Sequence, residues 1–215
     1  MENKPKILCL NTAWALAQIA YKNGDVFTEK VLDANAKSSE NVLPKIEELL
    51  IENGVNISNI THYGVVVGPG SFTGLRVAVS LVKGFCAVFS DARVVAVNSL
   101  DLMAKEFMKT NTCKDFSVVQ NALGGRFFVK NFKNGVGGKS LLVRGFPGGV
   151  KVGLESENLP EMDFWVQPTP QTLAQFTQQE ITEQNFVSVE KLEPVYLRLS
   201  QAEENLLKKE ENAED

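Results

Sequence analysis

The stretch from Gly64 to Phe85, GVVVGPGSFTGLRVAVSLVKGF, constrains the fold more than any other part of the sequence. Its β-branched run predicts a buried strand over 62–67, and the nearly unbroken apolar run that follows predicts a helix over 73–89. Three glycines within seven residues form the loop between them. Because backbone N–H groups at a helix start favour anions, the first question is whether this loop holds a phosphate or only turns the chain.

The loop 68–74 does not have the spacing of the known phosphate motifs. A P-loop needs a lysine directly after its last glycine, where this chain has Leu75. The gap before the last glycine of the loop is also one residue longer than in the dinucleotide-binding pattern Gly-x-Gly-x-x-Gly. Ser71 has Gly70 and Phe72 as neighbours, so it is not a nucleophile elbow either. We therefore expect a turn whose glycines permit positive φ and a close approach of helix and strand.

The helix after the loop has two unusual features. Arg76 lies in its first turn, where a cation opposes the helix dipole at a cost of roughly a few tenths of a kcal/mol, so we expect a compensating partner. At 100° per residue, its apolar residues fill an arc of about 200°, and a surface helix needs only about half of that. Such an arc is covered either twice within its own lobe, or once by the sheet and once by another protein.

The remaining pattern predicts two lobes. Residues 1–100 have the order β-β-β-α-β-α-β, with further strands predicted at 6–11, 16–22, 25–32 and 93–97. Beyond Lys114, short strands alternate with glycine-rich turns, as in a lobe built on hairpins. We predict an N-terminal lobe over 1–105 with the Gly loop and association helices, a smaller C-terminal α/β lobe over 106–200, and an acidic tail over 201–215.

Composition narrows the function classes. The chain has 215 residues and is 44% hydrophobic, enough for a sizeable core. The tail carries six acids and two lysines, which leaves 20 acids and 20 bases in the body. A neutral body predicts no binding of nucleic acid by the chain alone. No apolar run approaches the roughly 20 residues that span a bilayer, so we expect a cytoplasmic protein without a membrane partner, and reduced thiols at the three cysteines.

Catalytic signals are weak. His62 is the only histidine, so a Ser-His-Asp triad has one possible base, and no His or Cys pair has the spacing of a zinc site. We expect no catalytic, cofactor-binding or metal-ligating residues in the isolated chain.

Four segments together resemble the TsaB (YeaZ) family of bacterial tRNA threonylcarbamoyladenosine synthesis: GPGSFTGLRVAVSLVKGF, SSENVLPKIEELL, VVAVNSLDLMA and PVYLR. The resemblance is dense over 6–107 and thinner beyond. It implies a two-lobed actin-like (ASKHA, ribonuclease H-like) α/β fold with mixed sheets and flanking helices. It also implies a non-catalytic scaffold that pairs with the catalytic paralogue TsaD, and with the ATPase TsaE, to transfer threonylcarbamoyl to the adenosine beside the anticodon.

The same resemblance favours association as the purpose of the helix after the Gly loop. In the family, first-lobe helices form both the self-dimer and the TsaD contact, so we expect one substitution of Val79→Glu and Leu81→Glu to unfold the chain and the other to abolish pairing. ATP or ADP would bind at the interface of the complex, and tRNA only through the complex. The predicted partner-interface residues are Gly70, Ser71, Phe72, Thr73, Gly74, Arg76, Ala78, Leu81 and Phe85.

This sequence departs from the family pattern at four positions. Asn11 replaces the usual aspartate of the first turn, Ser38 a frequent histidine, and Asn121 and Arg126 stand where acids are common. Losing the aspartate removes an anionic oxygen that holds hydrated Mg²⁺ in actin-like kinases, so an autonomous ATPase is not expected. Two alternatives stay open: an actin-like-fold enzyme, either a kinase or a glycoprotease-like peptidase, and a nucleotide-binding regulatory module.

Overall fold

A computed structural model of the chain describes residues 4–32, 38–89, 91–157 and 159–199. The described residues form two five-stranded mixed sheets with helices around them. The predicted acidic tail over 201–215 lies outside the described residues. Among the helices of the described part, none is long and apolar enough to cross a membrane.

The first sheet has the strand order β3-β2-β1-β4-β5. β1 and β2 pair antiparallel, as do β2 and β3, whereas β4 and β5 continue the sheet in parallel with β1. The β-β-β-α-β-α-β order predicted for this lobe is confirmed, with element ends shifted by one or two residues. The five strands are β1 (Lys6–Asn11), β2 (Ala17–Asn23), β3 (Val26–Leu32), β4 (His62–Gly68) and β5 (Arg93–Asn98).

Four α-helices accompany the sheets, namely α1 (Ser38–Glu52), α2 (Phe72–Val88), α3 (Ser99–Phe107) and α4 (Pro170–Thr182). Three of them begin at side chains that cap free backbone N–H groups. Ser71 caps α2, Asn98 caps α3 and Thr169 caps α4. The helix α4 was not predicted from the sequence. The predicted lobe boundary near residue 105 falls inside α3.

The second sheet repeats the pattern of the first, with the order β8-β7-β6-β9-β10. β6, β7 and β8 are antiparallel neighbours, and β9 and β10 continue in parallel with β6. Where the first lobe inserts α1 and α2, the described residues of 144–150 and 155–163 form turns. The strands are β6 (Phe116–Asn121), β7 (Phe127–Lys133), β8 (Val136–Val143), β9 (Lys151–Leu154) and β10 (Phe164–Val166).

The last helix of each lobe packs on the sheet of the other lobe. The ring of Phe107 in α3 lies 4.7 Å from that of Phe116 in β6, measured between centroids. In return, α4 covers the first sheet, where the Cys9 thiol donates to the Thr177 hydroxyl at 3.5 Å. One hydrophobic core therefore joins both lobes, with Leu173 of α4 among its buried members.

All three cysteines are free thiols. Cys9 and Cys86 are buried, and Cys113 is partly buried. Burial raises the pKa of the Cys9 thiol to about 12. The expected reduced thiols agree with this arrangement.

Candidate functional site

The Gly loop packs tightly against the turn that follows β1. The N–H of Ser71 donates to the Ala13 carbonyl at 2.8 Å, and the Thr12 hydroxyl donates to the Gly74 carbonyl at 2.6 Å. A Cβ at Gly70 would lie 2.6 Å from the Ala13 carbonyl oxygen, and one at Gly74 would overlap the Thr12 carbonyl. The glycines are needed because two backbone segments touch here, as the prediction of a turn requires.

Arg76 has the partner that its position in the helix predicts. Its Nε donates to the Tyr196 hydroxyl at 2.9 Å, and its guanidinium lies 4.2 Å from the centroid of the Phe72 ring. The Phe72 and Tyr196 rings stack with centroids 4.1 Å apart. The expectation of a compensating partner is confirmed. Tyr196 was missed as a site residue, and its only signal was its place in the PVYLR segment.

The structure divides α2 into a buried and an accessible face. Gly74 and Ala78 lie inside the lobe, where Ala78 has no accessible surface. Ser71, Thr73 and Arg76 are exposed, whereas Gly70, Phe72, Leu81 and Phe85 are partly buried. Val79 is 4% exposed and belongs to the core, so of the predicted pair it is the position where we expect a charge to unfold the chain.

Large apolar side chains remain exposed across α1 and α2. Leu43 is 50% exposed, Ile51 70% and Val88 72%. A cavity of about 350 Å³ lies against α1, and Leu43 and Ile51 line it together with Phe85 of α2. We call the surface formed by Leu43, Ile51, Phe85 and Val88 the helical face. Within the described residues of α1 and α2, Leu43, Ile51 and Val88 are the exposed large hydrophobic residues.

A second cavity, of about 560 Å³, opens between the lobes. We call it the cleft. It lies where the turns after β1, β4, β6 and β9 meet, at the carboxyl ends of strands that run parallel within each sheet, where α/β proteins place ligands. Eighteen residues line it, among them Trp14, Gln120, Glu157, Tyr196 and Arg198.

Some polar groups of the residues that line the cleft have hydrogen-bond partners, and others do not. The Glu157 carboxylate accepts from the Asn121 N–H at 2.6 Å, and burial raises the pKa of this carboxyl to about 7 despite that bond and one from the Gln120 side chain. The Arg198 guanidinium donates to the Ala122 carbonyl. The buried atoms Trp14 Nε1 and Gln120 Oε1 have no hydrogen-bond partner within the described part of the chain.

The first turn does not fit a hydrated Mg²⁺ ion of the actin-like kinase type. Asn11 is fully buried, its Nδ2 donates to Gln18 Oε1 at 3.0 Å, and its Oδ1 accepts from the Ala13 N–H at 3.0 Å. Both ends of this amide are thus occupied by the protein, and neither is anionic. Two other departures from the family pattern lie elsewhere in the structure. The side chain of Asn121 accepts from the Leu123 N–H, and Arg126 lines an outer cavity.

His62 and Ser71 lie at opposite ends of β4 and do not form a catalytic pair. The His62 Nδ1 is hydrogen-bonded to the Thr61 hydroxyl at 2.8 Å. Burial lowers the pKa of His62, and the nearby Arg93 lowers it further. Within residues 4–32, 38–89, 91–157 and 159–199, no group of three or more His, Cys, Asp or Glu side chains could hold a metal ion.

Comparison with known proteins shows which proteins this chain is similar to. A family model described as TsaD, tRNA N6-adenosine threonylcarbamoyltransferase, matches residues 32–125. The Escherichia coli tRNA threonylcarbamoyladenosine biosynthesis protein TsaB is 24% identical over 106 residues, 49% of this chain and 46% of that protein. The Haemophilus influenzae protein of the same name is 32% identical over 72 residues, 34% of this chain and 30% of its own. The resemblance to the TsaB/YeaZ family is confirmed.

A solved structure extends the TsaB/YeaZ likeness to the fold of both lobes. YeaZ from Pseudomonas aeruginosa superposes with a TM-score of 0.75 at 20% identity, over 90% of this chain and all of that one. The predicted actin-like α/β fold of mixed sheets and flanking helices is confirmed. In sequence, the matches span 40 to 52% of the length of the first curated relatives.

Proposed function

We propose that this chain takes part in the formation of threonylcarbamoyladenosine in tRNA, as a non-catalytic partner of a TsaD-type protein. The curated relatives from E. coli and H. influenzae are both named for this biosynthesis. The segment 32–125 that matches the TsaD family model contains α1 and α2 whole. The proposal therefore concerns the lobe in which the similarity is concentrated.

The helical face is the observation that carries this proposal. Three aliphatic side chains that are half to three-quarters exposed, next to a cavity of about 350 Å³, form a surface suited to the apolar centre of a protein interface. Helix α2 is held from behind by its buried face, so it offers a rigid support. The Phe72, Arg76 and Tyr196 cluster at its first turn adds an aromatic and a guanidinium group, both frequent at interaction hot spots.

The roles that we propose for this chain and for its partners follow from the residues of this chain. The first turn carries Asn11 in place of a carboxylate, so the TsaD-type partner provides the transfer chemistry, and ATP or ADP binds at the junction of the two proteins. With 22 basic and 26 acidic residues in the whole chain, the tRNA phosphates meet their positive surface on other subunits. A TsaE-type ATPase joins the pair, and a second copy of this chain competes for the helical face.

Two valines provide a matched test. Val88 on the helical face and Val136 on β8 of the other lobe are each 72% exposed. We expect Val88→Glu to abolish co-purification with TsaD of the same organism, since the charge would have to be buried in the interface. Val136→Glu should pair normally. Circular dichroism checks that both variants are folded, and threonylcarbamoyl transfer to tRNA is then measured with the reconstituted proteins.

Equal pairing by the two valine variants would refute the assignment of the interface to the helical face. Transfer by the purified chain alone, lost in a site variant of this chain, would refute the non-catalytic role.

A further inference from the structure

The last described segment of the chain, residues 193–199, passes from one lobe to the other, and we call it the strap. Near its start, the Val195 N–H donates to the carbonyl of Val67 in β4 at 2.7 Å. Near its end, the Arg198 guanidinium donates to the carbonyl of Ala122, directly after β6. Because β4 and β6 belong to different sheets, the strap bridges the two lobes.

The strap is a wall shared by two cavities. The first is the cleft, and the second, which we call the outer cavity, has a volume of about 590 Å³. Tyr196, Leu197 and Arg198 line both of them. Trp14 lines only the cleft, and Arg126 lines only the outer cavity. The side chains of the strap therefore stand between the two spaces.

The strap is held by few contacts. Leu192, directly before it, is 1% exposed, but none of the residues 193–199 is fully buried, and Tyr196 is 40% exposed. Within the described part of the chain, the bond from Val195 to Val67 is the only backbone-to-backbone hydrogen bond of the strap. Segments with few buried contacts and few backbone hydrogen bonds open at a low free energy while the rest of the protein stays folded. We therefore expect the chain beyond Leu192 to open locally.

Two side chains of α2 hold the middle of the strap. The Tyr196 ring stacks on Phe72 with centroids 4.1 Å apart, and the Tyr196 hydroxyl accepts from Arg76 Nε at 2.9 Å. Both partners lie in the first turns of α2, which the Gly loop fixes against the turn after β1. We propose that the strap is a gate between the cleft and the outer cavity, closed while Tyr196 lies on Phe72 and Arg76.

Opening of this gate joins the two cavities into one groove that crosses both lobes. A molecule that passes between the outer cavity and the cleft has to displace the side chains of Tyr196 and Arg198, which line both. The opening of the strap therefore limits the rate at which the cleft is reached from this side. The gate is a property of the isolated chain and does not rest on pairing with TsaD.

Arg198 itself provides the test, because trypsin cleaves after arginine and has to take that side chain into its own pocket. The bond between Arg198 and Leu199 is accessible to trypsin only after the Arg198 guanidinium has left the Ala122 carbonyl. At a low trypsin concentration, where the strap closes faster than it is cut, the rate of cleavage follows the population of the open strap. Mass spectrometry of the full chain during digestion distinguishes this cut from the one after Lys191.

Three variants are compared with the wild type. Arg76→Gln removes the guanidinium, and Tyr196→Phe removes the hydroxyl but keeps the stacked ring. Arg93→Gln is the matched control, since the Arg93 guanidinium also lies over an aromatic ring, 5.1 Å from the centroid of Phe186. Arg93 pairs with the first residue of β4, whereas the strap contacts the other end of that strand.

We expect Arg76→Gln to raise the rate of cleavage after Arg198 about tenfold, through the loss of a hydrogen bond to a charged group. Tyr196→Phe should raise it about threefold, because the ring contacts remain. Arg93→Gln should be cleaved there at the wild-type rate.

A thiol introduced into the cleft measures whether the opening reaches that space. Ala122 lines the cleft and is 2% exposed, so Ala122→Cys, combined with Cys113→Ser, places a protected thiol there. Arg76→Gln should speed its modification by a thiol reagent about tenfold, while the buried Cys9 of the same molecules stays unmodified. If circular dichroism shows that Ala122→Cys is unfolded, the trypsin rates decide alone.

Three results would overturn the proposal. The first is cleavage after Arg198 at the wild-type rate in both Arg76→Gln and Tyr196→Phe. The second is an equal rise in Arg93→Gln, which would indicate a general loss of stability. The third is a thiol at position 122 that reacts only when Cys9 does. All rates are measured on the isolated chain, so none of these results bears on the proposed pairing with TsaD.

Discussion

Two glycines of α2 should respond to the same substitution with opposite signs. A Cβ at Gly74 would overlap the carbonyl oxygen of Thr12, and it would lie 3.0 Å from the carbonyl carbon. Because the obstacle is backbone, it cannot rotate away as a side chain can. At Gly84, in the same helix, a Cβ would have no neighbouring heavy atom within 4 Å beyond the helix backbone. Gly74→Ala tests the close packing of the loop, and Gly84→Ala is its control.

The expected magnitudes follow from these contacts. Replacing glycine by alanine within a helix stabilises by about 1 kcal/mol through backbone entropy. At Gly74 this gain is outweighed by about 1–3 kcal/mol of overpacking and about 1 kcal/mol from the disturbed Thr12 hydrogen bond. We expect Gly74→Ala to lower the free energy of unfolding by about 2 kcal/mol. At 2–4 °C per kcal/mol, its Tm falls by about 4–8 °C, and that of Gly84→Ala rises by about 2–4 °C.

Thermal and urea unfolding at one low micromolar concentration measure both variants. Size-exclusion chromatography accompanies the measurements, because Gly84 is exposed near the helical face and a change in self-association would also shift Tm. A Gly74→Ala protein as stable as the wild type would show that the loop can move away from Thr12. The argument that the glycines are required by backbone contact would then be refuted.

Three further outcomes are expected. Asp101→Ala should destabilise the chain by about 3 kcal/mol in urea unfolding, because it leaves the buried Lys130 ammonium, now 2.6 Å from the carboxylate, without its partner. At pH near 8, a thiol reagent should modify Cys113 in the folded protein and Cys9 only after unfolding, as mass spectrometry would show, since Cys9 is buried and its pKa is raised to about 12. The pKa of Glu157, raised to about 7 from 4.5, means that the folded state holds its proton more tightly, so its stabilising contribution is full below about pH 4.5 and is lost as pH rises through 7. Urea unfolding at about pH 5 and pH 8 should therefore differ less in Glu157→Gln than in the wild type.

The first lobe was predictable because its signals are local. Alternating and β-branched runs, a glycine turn and capping residues all lie within a few positions of the elements they define. Helix α4 was missed for the opposite reason. Its sequence PQTLAQFTQQEIT is rich in glutamine and threonine, and two of its buried residues are Thr172 and Thr177. Those hydroxyls can be buried because residues far away in the sequence pair with them: the Cys9 thiol donates to Thr177, and the Glu106 carboxylate accepts from Thr172.

At the candidate site, the sequence indicated that a residue requires a partner, but it did not indicate which residue that partner is. The helix dipole indicated that Arg76 requires compensation, but it could not indicate Tyr196, which lies 120 positions along the chain. The cleft could not be predicted at all. Trp14 and Gln120 look like ordinary core residues in sequence, and only the packing of two sheets leaves their polar atoms unpaired.

The packing of α3 and α4 on the opposite lobes has a consequence for the synthesis of this chain on the ribosome. The first sheet is complete once β5 has been made, but the helix that covers its second face comes from the far end of the chain. At roughly 5–20 residues per second, the roughly 75 residues between the end of α3 and the end of α4 take about 4–15 s to synthesise. During that interval Ile7, Cys9 and Ala20, which are 0 to 1% exposed in the finished protein, lack the helix that buries them. We therefore expect a nascent chain of this protein to expose this apolar face for seconds, and a version truncated before Pro170 to expose it permanently.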